Sequence, residues 1–89
     1  MPNKRRKLNK DFEKKIYTSK KNVELVLAKI YDIDDEDIQK EYMSAFNAVV
    51  NSYDELKENY EQEGFNEKSE ELLSNYKKAF NLFESEFEI

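Results

Sequence analysis

Carboxylates are the reactive groups this chain has in quantity. It carries 20 Asp and Glu against 15 Lys and Arg, with no His and no Cys. Lack of His removes the commonest general base and the commonest metal ligand. Lack of Cys removes thiolate chemistry, zinc-thiolate clusters and disulfides. Paired carboxylates do acid–base work where an environment shifts their titration, but here they fall on the hydrophilic faces of amphipathic segments. The densest run, Asp32-Ile33-Asp34-Asp35-Glu36-Asp37, offers the oxygen ligands that calcium takes. An EF-hand loop needs Gly at its sixth position and Glu at its twelfth. Counted from Asp32, those positions hold Asp37 and Met43, so the run reads as a connection between elements and a helix cap. There is no Gly-rich phosphate loop and no Ser/His pair. The expectation is a chain that is not an enzyme and uses no metal or cofactor.

What remains is binding chemistry, and the charge is divided in a way that suggests it. Residues 1–21 hold nine Lys and Arg and two acids, a net of +7, whereas residues 22–89 hold six Lys and eighteen acids, a net of −12. A basic head on an acidic body points to charge-guided association. The first candidate surface is a row of acids, Asp34, Asp35, Asp37, Glu41, Glu55 and Glu58. Such a row can imitate a phosphate backbone and enter a basic groove. This expectation is a regulatory or inhibitory module whose partner is a basic protein, one that handles nucleic acid. The second candidate surface is Lys4, Arg5, Arg6, Lys7, Lys10, Lys14 and Lys15, which would contact phosphates of DNA or RNA through residues 3–21 without reading bases. The plainer readings are a solvated face that keeps a small protein in solution and a solubilising tail.

The elements that must position these groups are helices. Gly64 is the only Gly and Pro2 the only Pro, too few turn formers for hairpin-rich β structure. Three apolar stripes follow helical spacing. Phe12, Ile16, Val23, Val26, Leu27 and Ile30 predict a helix over about 10–31, with Ser19 as the weak position. Ile38, Tyr42, Ala45, Phe46, Val49, Tyr53, Leu56 and Tyr60 predict one over about 35–63, capped by Asp34 and stopped by Gly64. Leu72, Leu73, Tyr76, Phe80, Phe83 and Phe87 predict a third over about 66–87, capped by Asn66. Short connections make neighbours antiparallel. The fold class is therefore all-α, an up–down–up three-helix bundle over 10–89 with a flexible basic arm over 1–9.

Two other architectures fit the same stripes: a first helix broken near Thr18–Asn22, where Asn22 would cap a new start, and a helical hairpin that dimerises. The chain is accordingly a monomer or a homodimer. Most of the twelve Tyr and Phe lie on the seams, while Tyr17, Tyr31 and Phe65 lie off them and are candidates for partner contact. Glu84 and Glu86 oppose the dipole of the third helix, so its last turn either frays or serves something other than stability. No apolar run approaches a membrane span and the start lacks a signal-peptide core, which together point to a cytoplasmic protein.

Overall fold

The computed structural model describes residues 7–88. Three helices follow one another, α1 (Lys10–Tyr31), α2 (Glu36–Glu63) and α3 (Glu67–Glu86). They form an up–down–up bundle measuring 51 × 22 × 18 Å. No β-strand forms among the described residues; a single isolated bridge joins Lys7 to Gly64. At 1.5 Å per residue the 28 residues of α2 extend about 42 Å, nearly the whole length of the molecule. It is the central strut, packed against both neighbours.

Helix starts follow side-chain capping. Asn9 Oδ1 accepts from the Phe12 amide at 3.0 Å and opens α1. Asp35, not Asp34, caps α2, accepting from the amides of Asp37 at 2.9 Å and Ile38 at 3.2 Å. The cap falls one residue later than the sequence reading put it because the connection spends Ile33 on the core, where it is half-buried against the main cluster. Asn66 caps α3 as expected, and Ser69 Oγ reciprocates by accepting from the Asn66 amide at 2.9 Å. Gly64 ends α2 at φ 75° and ψ −161°, a region open essentially to glycine alone.

α1 does not break. Ser19 Oγ donates to the Lys15 carbonyl at 2.8 Å, which keeps the hydroxyl satisfied inside the helix. Ser19 is buried, and the Tyr76 hydroxyl of α3 donates to its carbonyl at 3.3 Å. The weak position in the apolar row is thus the small residue that admits a tyrosine. Asn22 caps nothing.

The core runs the length of the rod. Phe12, Val23, Val26 and Ile30 from α1 meet Phe46, Val49, Tyr53, Leu56 and Tyr60 from α2 and Leu73, Tyr76 and Phe83 from α3. One seam assignment and one off-seam assignment change. Ile38 is 44% exposed, its inward place at that end taken by Ile33. Phe65, read as a partner contact, is half-buried and meets Phe12 edge-on at 5.1 Å. Tyr17 and Tyr31 are exposed.

The two ends are held differently. Where α1 starts and α2 ends, Tyr60 accepts from the Asn9 amide at 3.0 Å and donates to Glu13 Oε2 at 2.5 Å. The Phe65 amide donates to the Lys7 carbonyl at 2.6 Å. At the far end Tyr42 meets Phe87 edge-on at 4.7 Å, and Phe83 and Phe87 stack at 5.1 Å. These rings hold the last turn of α3 despite the acids that oppose its dipole.

Candidate interaction surfaces

All six acids of the first candidate surface are exposed. α2 places Asp37, Glu41, Glu55 and Glu58 because its apolar seam turns inward and the opposite face must turn out, while Asp34 and Asp35 lie in the connection and cap before it. They do not form one continuous row. Asp34, Asp35, Asp37 and Glu41 gather where α2 begins, and Glu55 and Glu58 lie towards its other end. Glu41 and Glu55 are separated by about 21 Å of helix, with the neutral, exposed Ser44 and Asn51 between them on that face. Asp35 also has a structural task, since its carboxylate is committed to the α2 cap. The other five carry no such commitment in the capping pattern.

The second candidate surface divides. Lys4, Arg5 and Arg6 lie outside the described residues. Lys7 is exposed, but it shares a shallow depression with Glu67 and Glu70. Two carboxylates beside that cation offset much of what it offers a phosphate. Lys10 is exposed on the first turn of α1. Lys14 and Lys15 lie further along and line a slot between α1 and α3. Among the described residues, Lys7 therefore lies apart from Lys14 and Lys15.

The tyrosines respond to the same geometry. Burial holds the Tyr53 hydroxyl above its ordinary value of 10.0, and the carboxylates of Asp54, Glu24 and Glu61 push in the same direction. Burial also raises Tyr76, with hydrogen bonding from Ser19 and Asn22 pulling the other way.

Gln39 was not legible as a functional or structural residue. Its side-chain amide donates to the carbonyls of Ile30 and Tyr31, both at 3.2 Å, and closes the end of α1. Among the described residues no group of three or more acids is placed to hold a metal, and no helix is long and apolar enough to cross a membrane. No family model, no curated protein and no solved structure matches this chain.

Proposed function

We propose that this chain is a non-catalytic protein-binding module that presents the solvent face of α2 to a basic partner protein. The observation that carries the reading is the exposure of Asp37, Glu41, Glu55 and Glu58 on a helix packed from both sides, with Asp34 exposed in the connection just before it. A rigid helix holds its charges at fixed separations, so little order is lost when a partner engages them. The spacing suits two basic clusters about 20 Å apart, or a cationic groove that takes the helix lengthwise. The partner class that fits best is a protein whose groove normally receives phosphates, and the module would act by occupying it.

The test uses the chain as bait in a pull-down from its native host, beside a Glu41→Lys, Glu55→Lys, Glu58→Lys variant. Asp35 is left intact so that the cap survives. Wild-type chain should capture a basic protein, and capture should weaken as salt rises. The variant should lose it. Equal capture by both would reduce the acidic face to a solvated surface.

A second reading, weak phosphate binding by the basic head, is favoured by the exposure of Lys10, Lys14 and Lys15 in the first two turns of α1. It predicts a gel shift at low salt with a log–log salt slope of about −4 to −6 on duplex DNA. A truncation that tests it should remove residues 1–6 only, because Asn9 caps α1 and bonds Tyr60. No shift in a large protein excess would eliminate this reading.

A further inference from the structure

α2 packs against both other helices, but α1 and α3 leave a slot of roughly 640 Å³ between them on the side away from α2. No residue of α2 lines it. Its floor is apolar and aromatic, made by Val26, Leu73, Tyr76 and Phe80. Leu25 stands at its edge, 58% exposed. Four cations surround it, Lys14, Lys15 and Lys29 from α1 and Lys77 from α3, with Glu84 the only acid in the lining. The slot thus carries a net +3 on a chain whose net charge is −5. Such a local reversal of sign, over a low-dielectric floor, concentrates anionic ligands there.

From this juxtaposition we propose that the slot is a docking site for an acidic amphipathic helix of a partner protein, which completes a four-helix bundle. The dimensions fit: Lys14 to Lys29 spans about 22 Å, or some four turns. The chemistry fits on both counts. An apolar stripe at helical spacing would cover the floor and Leu25, while flanking carboxylates would meet the lysines. A phosphate polymer satisfies only the second of these, since it leaves the apolar floor in water. This proposal stands apart from the acidic-face reading, because it uses a different surface and a partner of opposite charge.

The probe is a synthetic sixteen-residue peptide of Leu, Ala and Glu with Leu at helical spacing, titrated into the full isotope-labelled chain. A second peptide with Lys in place of Glu and a sixteen-nucleotide single-stranded DNA serve as comparators. The acidic peptide should shift the amide resonances of Leu25, Val26 and Asn81, and the Lys peptide should leave them unmoved. Reversing the rim with Lys29→Glu and Lys77→Glu should weaken the acidic peptide about tenfold or more, roughly 1.4 kcal/mol. Leu25→Ser is a milder variant that should also weaken it, and it keeps the test open if the double reversal perturbs the fold. The Glu41→Lys, Glu55→Lys, Glu58→Lys variant should bind the acidic peptide at least as well as wild type. Failure of the acidic peptide to bind at millimolar concentration would overturn the proposal. So would shifts confined to other faces, or tighter binding of the DNA to the same amides.

Discussion

The outward face of α2 and the slot between α1 and α3 lie on opposite sides of one narrow rod, and they differ in almost every physical respect. The α2 face is convex, hydrophilic and acidic. The slot is concave, apolar at its floor and ringed by lysines. The difference arises from packing. α2 spends most of its apolar seam on two neighbours and shows a hydrophilic face with acids at both ends. α1 and α3 each spend most of theirs on α2 and meet one another through Tyr76 and Ser19. A three-helix bundle built around one long strut therefore leaves two surfaces of opposite charge.

The largest expected effect separates the strut from the slot. Phe46 is 0% exposed and meets Phe80 and Phe83 edge-on. Phe46→Ala should destabilise the chain by about 3–5 kcal/mol in urea unfolding. Leu25→Ala at the slot edge should change stability by no more than about 0.5 kcal/mol. A comparable loss at Leu25 would mean that the slot is closed in solution.

The next effect tests how the two ends of the rod are fastened. Tyr60→Phe removes the hydroxyl that joins Asn9 to Glu13, and a loss of about 1–3 kcal/mol is expected. Thermal unfolding of this variant beside wild type checks it. An unchanged midpoint would show that Phe12 and Phe65 hold that end without the polar link.

Smaller still is the division of labour among the acids of α2. Asp35→Ala should cost about 1 kcal/mol because it removes a cap. Glu41→Lys, Glu55→Lys and Glu58→Lys should each stay within about 0.5 kcal/mol. Equal losses at all four positions would mean that the acidic face is a structural network and not a free surface.

The last effect appears only in alkali. Tyr53 and Tyr76 are raised above 10.0 in the folded chain. The unfolded chain therefore loses those protons first as pH rises past 10. The stability tied to the two neutral hydroxyls is complete below that point and is lost through the interval up to their folded values. Tyr53→Phe and Tyr76→Phe should each flatten the alkaline fall in stability. An unaltered slope would place both hydroxyls in water.

Most of the fold was legible because it depends on spacing. The stripes of Phe12 to Ile30 and of Leu72 to Phe87 are periodic enough to give helix, face and boundary together. Gly64 and Asn66 announced the turn between α2 and α3, since few other residues serve those positions. What could not be read was which of several similar residues would act. Asp34 and Asp35 are equal candidates for a cap until Ile33 is known to turn inward. Phe65 lies outside any stripe, and its half-buried place against Phe12, beside the bridge of Lys7 to Gly64, depends on tertiary packing. The row of six acids was legible as a helical face, but its two-cluster division depends on reading Ser44 and Asn51 as part of the same surface. The slot was hidden for a different reason. Lys14, Lys29 and Lys77 lie on two helices, and no single stripe reveals the space left between two helices.

On the two proposals above, this chain keeps two recognition surfaces of opposite charge apart. One amide-resonance map, recorded with the acidic Leu/Ala/Glu peptide and then with its Lys counterpart, tests it most directly. Two separate footprints are expected. The acidic peptide should perturb Leu25, Val26 and Asn81, and the basic peptide Glu41, Ser44 and Glu55. A single footprint shared by both peptides, or none from either, would contradict it.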